Sequence, residues 1–451
     1  MSTNRVVIIG AGFSGTLCAI NLLRHDGPDA TLIERNPVVG RGTAYSAAHP
    51  EHLLNVRAGN MSAFPEDPGH FARWLENRLG SNSTTFAPRR VYGDYLGEML
   101  AEAARAAPGR IEIVADTATR ISPGASGIAV ALASGRRIEG GTAVLALGNL
   151  PPTAPPPLDP VALGPVHYRG DPWAPNITTT LTTADTVLLL GSGLTMVDTA
   201  LLLQATGFGG RIVAISRRGL LPRAHSDSHG NILALAERPE PALRRLVRDV
   251  RVAALAIGWR AAIDRLRPFS QSIWRAASPD EQARFLRHLR PWWDVHRHRL
   301  APSVSARIDL MIASGQLTVV AGKPLSYVIE DGEVCVRWRR RATDDIETIR
   351  ARTVVNCTGP QGDLSRADDE VLRHLVADGL ARADVNRLGL DVDAQNNLVG
   401  AGGAIDKRLF ALGPMTRGAF WEISAVPDIR RQVWTLARKL SNAHWIGGEG
   451  L

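Results

Sequence analysis

The chain has little cysteine, little lysine and no long hydrophobic run. Only three of its 451 residues are cysteines, Cys18, Cys335 and Cys357. None stands in a Cys-x-x-Cys pair, which excludes a disulfide framework, a thiol–disulfide redox pair and a cysteine zinc site, and we expect no metal. The longest apolar stretches, such as 186–190, fall far short of the ~18 residues that span a bilayer. No basic region precedes the first apolar run, so we expect no secretory signal, no membrane association and a cytoplasmic location.

Acidic residues are fewer than basic ones, 44 Asp and Glu against 52 Lys and Arg, which leaves a net charge of +8. Almost all of the basic residues are arginine, because the only lysines are Lys323, Lys407 and Lys439. A positive balance can indicate an acidic partner such as nucleic acid. An arginine bias of this kind often reflects coding composition instead, so we expect no nucleic-acid partner. The 45% of hydrophobic residues indicates an ordinary globular protein.

Glycine is plentiful, and one group follows the first predicted strand. Residues 5–9 are an apolar, β-branched run typical of a strand buried on both faces. The sequence Gly-Ala-Gly-Phe-Ser-Gly follows, then a helical pattern over 16–24 and a second strand over 30–33. In this arrangement the glycines allow a tight turn, backbone approach to a pyrophosphate, and close helix packing, while an acid after the second strand binds ribose hydroxyls. The predicted site consists of Gly10, Gly12, Ser14, Gly15, Glu34 and Arg35.

A second turn of this kind lies in the middle of the chain. The strand 186–190 precedes Gly-Ser-Gly-Leu-Thr-Met and a helical run over 197–204. Met196 replaces the third glycine, so we expect a looser approach of helix to strand. The next strand, 211–216, ends in two arginines, which can bind a 2′-phosphate that a carboxylate would repel. The sequence therefore predicts NADPH here, bound by Gly191, Ser192, Gly193, Thr195, Arg217 and Arg218; a solvated arginine pair is the alternative.

Two nucleotide-binding units predict an α/β fold with two Rossmann-like domains, with FAD in the first and NADPH in the second. We expect the FAD domain to be discontinuous, at 1–150 and 346–451. The NADPH domain at 180–345 would be inserted in it and would include a helical, arginine- and tryptophan-rich subdomain at about 239–314. Its aromatic residues suit core filling better than base stacking.

Several glycines end the predicted strands of the FAD domain. The strand 143–147 ends at Gly148, the strand 352–358 ends at Gly359, and the strand 409–412 ends at Gly413. We expect all three strands to lie in the FAD domain, with these glycines near its cofactor. A closing helix over 423–440 would complete that domain.

The order of these motifs resembles that of flavoproteins with two dinucleotide-binding domains, and in particular of the class B, single-component flavin monooxygenases. The segment 55–68 is similar to the one in which those enzymes place an Asn before Met-Ser-x-aromatic. That Asn lies over the flavin edge where oxygen adds, so the resemblance implies this role for Asn55 or Asn60. Segments 39–46, 191–198, 216–223 and 412–423 are similar to a bacterial family described only as FAD/NAD(P)-binding proteins.

The resemblance implies an activity. An enzyme of this class would use NADPH to reduce FAD and pass oxygen, through a flavin hydroperoxide, to the nitrogen of a small amine or amino acid, or to a sulfur. Related flavin enzymes oxidise the amino group of aspartate in bacterial natural-product pathways. The partners would be the small-molecule substrate and O2. Two alternatives stay open: a flavin dehydrogenase or reductase without oxygenation, and a non-catalytic flavin-binding sensor.

Three further residues are candidates for the site. Arg41, between two glycines, could pair with an FAD phosphate or be a plain surface residue. His225 follows the NADPH arginines and could position the nicotinamide or a substrate acid, or be a satisfied loop histidine. Arg417 follows the last strand, where it could bind a substrate carboxylate or form a structural pair with Glu422. With Asn55, His225 and Arg417 are the predicted catalytic residues.

Overall fold

The protein is described by a computed structural model that covers residues 4–46, 49–174, 177–178, 181–226 and 235–442. Its strands, in chain order, are β1 (Arg5–Ile9), β2 (Asp29–Glu34), β3 (Ile111–Ala115), β4 (Ala118–Pro123), β5 (Ile128–Leu132), β6 (Arg137–Gly140), β7 (Thr142–Leu145), β8 (Tyr168–Arg169), β9 (Thr186–Leu190), β10 (Arg211–Ser216), β11 (Leu317–Glu330), β12 (Glu333–Arg340), β13 (Ile346–Ala351), β14 (Thr353–Asn356), β15 (Asn397–Val399) and β16 (Ile405–Ala411).

Its α-helices, in chain order, are α1 (Phe13–Arg24), α2 (Gly42–Ser46), α3 (His70–Leu79), α4 (Arg89–Ala106), α5 (Pro160–His167), α6 (Leu194–Ala205), α7 (Leu243–Ile257), α8 (Trp259–Leu266), α9 (Ser270–Ala276), α10 (Pro279–Arg284), α11 (Arg290–Arg297), α12 (Pro302–Ala313), α13 (Glu370–Ala377) and α14 (Val426–Leu440). Among the helices of these ranges, none combines the length and the apolar composition needed to cross a membrane. Helices α7–α12 occupy the stretch for which the sequence predicts a helical subdomain.

The first sheet has the strand order β15-β16-β7-β1-β2-β3. Strand β1 pairs in parallel with both β2 and β7, which places Ile8 between Leu32 and Val144. Helices α1, α4 and α14 pack together on this unit. Successive apolar residues of β1, which point to opposite faces of the sheet, are all buried, as a continuous β-branched run predicts. Strands β4, β5 and β6 form a separate antiparallel sheet beside it.

The second sheet has the strand order β13-β12-β11-β10-β9-β14-β8. Strands β11, β10, β9, β14 and β8 are parallel, and β12 and β13 extend the sheet as antiparallel strands. The strand β9 of the second strand-turn-helix unit therefore lies between two parallel strands of this sheet, as β1 does in the first sheet. The predicted class, two Rossmann-like α/β units with an additional helical region, is confirmed.

The placement of one strand differs from the prediction. Strand β14 pairs with β9, with Val354 opposite Leu188, so it belongs to the second sheet together with β13. The expectation that the strand ending at Gly359 returns to the FAD domain is wrong, and so is a boundary between 345 and 346. Each sheet holds one strand-then-glycine segment next to its glycine-turn strand, β7 in the first and β14 in the second. The two strands share a sequence pattern because they occupy equivalent positions in two different sheets.

Candidate site between two dinucleotide-binding sheets

The turn after β1 has the geometry that its glycines predict. Gly10 has a φ of +98°, and a Cβ there would lie 2.5 Å from the carbonyl oxygen of Ala146. A Cβ at Gly15 would lie 1.9 Å from the carbonyl oxygen of Gly10, so the helix can approach the turn this closely only without a side chain. At Gly12 a Cβ would meet only the Cα of Gly42, at 3.5 Å. Gly12 thus leaves room where a cofactor phosphate approaches the N-terminus of α1.

Glu34 at the end of β2 is buried and lies beside this turn. One of its carboxylate oxygens accepts the Ala11 N–H at 2.7 Å, and the other accepts the Asn36 N–H at 2.9 Å. These bonds fix the carboxylate next to the glycine turn, where a ribose hydroxyl would meet it. The neighbouring Arg35 points elsewhere, since it forms an exposed ion pair with Asp369 at 3.0 Å.

The turn after β9 repeats the first one. Gly191 has a φ of +111°, and a Cβ there would lie 2.4 Å from the carbonyl oxygen of Cys357, as at Gly10. A Cβ at Gly193 would meet nothing within 4 Å among the described residues. The hydroxyl of Ser192 donates to the carbonyl of Leu220 at 2.6 Å, so its side chain is already engaged within the protein. A cofactor at this turn would therefore meet backbone N–H groups and Thr195, in the first turn of α6, and its contact with Thr195 stays a prediction.

Two glycines next to these turns leave open space. Gly148 follows β7 with a φ of +71°, and Gly359 follows β14 with a φ of +84°. In the part of the chain that is described, a Cβ at either position would meet no atom within 4 Å. Both glycines thus have open space beside them, although Ala146 and Cys357, each two residues earlier, lie against the glycine turns. Both openings fit an extended dinucleotide.

The two arginines after β10 point in different directions. Arg217 lines a pocket of about 280 Å³ whose other cationic residues come from the β11–β12 hairpin. The hairpin register places Lys323 opposite Arg339. Among the described residues, no carboxylate is within ion-pair distance of these three side chains, so the pocket carries uncompensated positive charge. Arg218 instead places its guanidinium 6.0 Å from the ring centre of Trp292. Sequence reasoning missed Lys323 and Arg339, because only the hairpin register brings them to Arg217.

The structure brings two of the predicted catalytic residues together. The Nε2 atom of His225 lies 2.9 Å from the carbonyl oxygen of Asn55, to which it donates. Burial lowers the pKa of His225 below its ordinary value, which favours the neutral ring. Arg57 donates to the carbonyl of Ser226 at 2.7 Å and so fastens the same two segments. Asn60 is exposed, and its side chain makes no hydrogen bond to the described residues. The contact of Asn55 with His225 is made by its backbone, so the role of either Asn at the flavin stays a prediction.

A buried ion pair joins the two units close by. Arg89, the first residue of α4, has its Nη2 atom 2.7 Å from a carboxylate oxygen of Asp198 on α6. His52 contacts the backbone oxygen of Asp198 at 3.0 Å. Burial raises the pKa of Asp198 to about 6, against the opposing effect of Arg89, and burial lowers the pKa of His52 to about 4. No local sequence pattern predicts this cluster, because its residues come from three distant segments.

The segment after β16 folds over the N-terminus of α1. A Cβ at Gly413 would lie 2.4 Å from the hydroxyl oxygen of Ser14, so the two predicted cofactor residues are in contact. Glu422 forms its ion pair with Arg297 at 3.0 Å, not with Arg417. Burial lowers the pKa of Arg417, and its guanidinium has no ion pair or hydrogen bond among the described residues. The structural Arg417–Glu422 pair is therefore not formed, and Arg417 keeps its donors free.

Arg41 is engaged on the protein itself. Its guanidinium pairs with the carboxylate of Asp94 on α4. The residue lies next to Gly42, which faces Gly12 of the first turn. The predicted contact between Arg41 and a cofactor phosphate stays a prediction.

The three cysteines lie in the interior of the protein. Cys18, Cys335 and Cys357 are buried and free. Burial raises the pKa of Cys18 and that of Cys357 to about 12. In the described ranges no group of three or more His, Cys, Asp or Glu residues could hold a metal ion.

Comparison with known proteins agrees with this architecture. A protein-family model described as FAD-NAD(P)-binding matches residues 7–150. A sequence comparison with curated proteins gives no match. Among solved structures, the ornithine N-hydroxylase of Kutzneria sp. 744, in complex with reduced FAD, NADP+ and L-ornithine, is 14% identical and has a TM-score of 0.68, over 98% of this chain and 100% of that one.

Two further structures are similar over almost the whole length. The cadaverine monooxygenase of the desferrioxamine pathway from Erwinia amylovora, bound to FAD, is 12% identical with a TM-score of 0.68, over 97% of this chain and 94% of that one. The thioredoxin reductase of Lactococcus lactis is 13% identical with a TM-score of 0.54, over 97% of this chain and 99% of that one. The chain therefore carries an FAD-NAD(P)-binding domain at residues 7–150 and has the fold of the flavoproteins with two dinucleotide-binding domains.

Proposed function

We propose that the protein is an NADPH-dependent flavin monooxygenase that oxidises the nitrogen of a small amine or amino acid. The observation that carries this proposal is the second dinucleotide turn, at Gly191, which has the geometry of the first turn at Gly10 and a cationic pocket beside it. A sensor would need no site for a hydride donor. The N-hydroxylase fold over the full length of the chain supports the same reading.

The first unit would hold FAD through its backbone and one carboxylate. The N–H groups at the start of α1 would bind the pyrophosphate, and Glu34 would accept hydrogen bonds from the ribose. Gly413 would bring its own backbone to the same place, because it contacts Ser14. When bound, FAD accepts hydride from a nicotinamide and reacts, once reduced, with oxygen.

The second unit would hold NADPH, and its cationic pocket would select it over NADH. Arg217 directly follows β10. In this fold, a residue at the end of that strand contacts the 2′-hydroxyl or the 2′-phosphate of the ribose. Lys323 and Arg339 add two charges that a 2′-phosphate would neutralise. NADH lacks that phosphate and would leave all three cations without a partner.

His225 would prepare the substrate nitrogen. A protonated amine has no lone pair for oxidation, so its proton has to leave first. Because Nε2 donates to the carbonyl of Asn55, the Nδ1 atom is the ring nitrogen that can accept a proton. The lowered pKa of His225 keeps Nδ1 unprotonated at neutral pH. Arg417, with free donors, would bind a substrate carboxylate.

A flavin reductase without oxygenation is the second candidate, since a thioredoxin reductase shares the fold. Reductases that act on disulfides through a protein dithiol need two neighbouring cysteines. Here all three cysteines are buried, free and far apart in sequence. Reduction of this kind is thus disfavoured, whereas electron transfer to a small molecule stays in competition with oxygenation.

Rapid kinetics would separate the candidates. We expect purified protein to be yellow, to be reduced by NADPH without oxygen, and to show a transient absorbance before the oxidised flavin spectrum returns on mixing with O2. An amine substrate should shorten the life of that transient and yield a hydroxylamine. Return of oxidised flavin without a transient, with no substrate oxidised, would favour the reductase, and colourless protein that takes up no FAD would contradict both enzymes.

A variant tests the role of His225. We expect His225→Gln to lower kcat for amine oxidation and to remove the acidic limb of its pH profile, while NADPH still reduces the flavin. His374→Gln is the matched control, because His374 also binds a backbone carbonyl, that of Thr119 at 2.9 Å, but in the first unit. An unchanged pH profile in His225→Gln would show that another group accepts the proton.

A further inference from the structure

The helices at the two glycine turns are connected through a third helix. Helix α1, whose N-terminus would meet the FAD pyrophosphate, packs against α4. Helix α4 begins with Arg89, and the Nη2 atom of Arg89 lies 2.7 Å from a carboxylate oxygen of Asp198. Asp198 belongs to the second turn of α6, the helix that starts at the second glycine turn. One buried ion pair therefore connects the helix at the FAD site with the helix at the NADPH site.

The two residues of this pair are held in place by the backbone around them. The Nε atom of Arg89 donates to the carbonyl of Leu53 at 3.2 Å, so a second edge of the guanidinium is fixed as well. The Nδ1 atom of His52 accepts the N–H of His49 at 3.2 Å, which leaves the ring proton on Nε2. Nε2 then donates to the backbone oxygen of Asp198 at 3.0 Å. Each partner of the ion pair thus has a further contact that limits its movement.

Apolar contacts surround the pair and keep most water away from it. Leu53 and Phe86, from the first unit, pack against the apolar core of the second unit. The ring centre of Trp173 lies 5.8 Å from the guanidinium carbon of Arg89. The side chains of Arg89 and Asp198 are 17% and 8% exposed. The two charges therefore interact in surroundings that screen them weakly.

An ion pair is a costly contact at a buried place. Two apolar side chains would join the units without the desolvation of Arg89 and Asp198, and the carboxylate oxygen nearest Arg89 makes no well-aligned hydrogen bond among the described residues to offset it. Apolar contact is non-directional, so it would hold the units together without fixing α6 relative to α4. The attraction between two buried charges depends on their separation and weakens as they move apart. The pair thus suits the fixing of a position better than the gain of stability.

Position matters here because hydride transfer depends strongly on distance. A hydride leaves the nicotinamide ring of NADPH and bonds to the flavin ring, which yields NADP+ and the reduced flavin anion. The reacting atoms have to lie ~3–3.5 Å apart, and a displacement of ~1 Å can slow such a step about a hundredfold. We propose that Arg89 and Asp198 are positioning residues, which hold α6 against α4 so that the nicotinamide meets the flavin at this distance. Their role rests on the reduction of FAD by NADPH in the proposed function, but not on oxygen transfer.

Anaerobic rapid mixing of the FAD-loaded protein with NADPH tests the positioning. In the double variant Arg89→Met with Asp198→Leu, an apolar contact replaces the ion pair with little change in volume. We expect saturating NADPH to reduce the flavin of this variant at least about tenfold more slowly than that of the unmodified protein, although its melting temperature should be no lower. Asp198→Asn keeps the shape of the side chain and should slow the reduction about three- to tenfold. It also serves if the double variant fails to fold.

A second double variant makes the same chemical change at an ion pair away from the contact between the units. The Nη2 atom of Arg120 lies 2.8 Å from a carboxylate oxygen of Asp378, and both residues belong to the first unit. We expect Arg120→Met with Asp378→Leu to leave the rate of flavin reduction by NADPH unchanged. Dithionite, which needs no nicotinamide, should reduce the flavin of every variant at the rate of the unmodified protein.

Titration with NADP+ measures the position without turnover. NADP+ cannot reduce the flavin, but its nicotinamide ring changes the flavin absorbance when the two rings are close. We expect both variants of the Arg89–Asp198 pair to bind NADP+ with a dissociation constant within about twofold of that of the unmodified protein, because the cationic pocket at Arg217 is unchanged. The absorbance change at saturating NADP+ should nevertheless be smaller in both variants.

The outcomes separate the positioning role from the proposed function. An unchanged rate of flavin reduction in both variants, or weaker NADP+ binding with an unchanged rate at saturation, would overturn the positioning role. A slower rate together with a lower melting temperature and loss of FAD would also overturn it, since the pair would then act on folding alone. Unmodified protein that NADPH does not reduce would contradict the proposed function. The NADP+ absorbance change would then decide the positioning role, which a smaller change in the variants would support and an equal change would overturn.

Discussion

Replacement of Asp198 by asparagine should stabilise the protein at alkaline pH, although it removes an ion pair. Asp198 and Arg89 are both nearly buried, and their closest atoms are 2.7 Å apart. That carboxylate oxygen nevertheless makes no well-aligned hydrogen bond. An ion pair without good hydrogen-bond geometry seldom recovers the cost of burying its charges. Asparagine has nearly the shape of the protonated acid and carries no charge to bury.

The size of the effect follows from the pKa of Asp198. Burial raises it from an ordinary value of 3.8 to about 6. Between these two values the folded protein holds the proton and the unfolded chain does not, so stability falls as pH rises through this window. Each pKa unit corresponds to 1.36 kcal/mol, so the ionised carboxylate costs about 3 kcal/mol above pH 6. Asp198→Asn should recover about that amount at pH 8 and almost nothing at pH 4.

Urea unfolding at a series of pH values measures this difference. The free energy of unfolding of Asp198→Asn should exceed that of the unmodified protein by an amount that grows between pH 4 and pH 6 and is then constant. Asp249→Asn is the control, because Asp249 is 56% exposed and forms only surface ion pairs on α7. We expect no pH-dependent difference from it. A loss of about 3–5 kcal/mol in Asp198→Asn at pH 8 would refute the reasoning, since it would mean that attraction to Arg89 exceeds the cost of burial.

Three other predictions concern neighbouring features. Burial lowers the pKa of His52 to about 4, so between pH 6.5 and 4 the unfolded chain binds a proton that the folded protein does not. The free energy of unfolding should therefore fall by about 2–3 kcal/mol over this range, and His52→Gln, made in the Asp198→Asn background, should abolish this loss. Gly191→Ala should lower the melting temperature, because its Cβ would lie 2.4 Å from a carbonyl oxygen. Gly193→Ala should leave the melting temperature unchanged and only weaken NADPH binding. Equal melting temperatures of the two variants would contradict the strain assigned to Gly191. Lys323→Gln and Arg339→Gln should each raise the KM for NADPH about three- to tenfold without changing that for NADH, with Lys407→Gln as control, and an equal effect on both coenzymes would remove these residues from the phosphate site.

The glycine turns could be predicted because their physics is local. Gly10, Gly15 and Glu34 lie within about thirty residues, and each answers a requirement of one strand-turn-helix-strand unit. The same holds for Gly191, whose turn repeats the first one. The sequence therefore specified both units, their order and the chemical nature of their turns.

The contacts between units could not be predicted in this way. Asn55 and His225 are 170 residues apart, and their contact depends on how the two sheets pack. Lys323 and Arg339 reach Arg217 only through the hairpin register, which the pattern of a single strand does not specify. Arg417 keeps its donors free because its neighbour Glu422 pairs with Arg297, which lies 125 residues away in the sequence. A sequence shows which groups are present, whereas packing decides which of them remain unpaired.

The insertion of one unit into the other has a consequence for synthesis of the protein. Strand β7 ends at Leu145, but its neighbour β16 begins only at Ile405. A ribosome adding ~5–20 residues per second needs about ten to fifty seconds to make the chain between them. During that time β7 is an open, apolar edge, the kind of surface on which nascent chains aggregate. The inserted unit can fold meanwhile, so the first unit is begun first and completed last, and a chain that stops before β16 leaves that edge exposed.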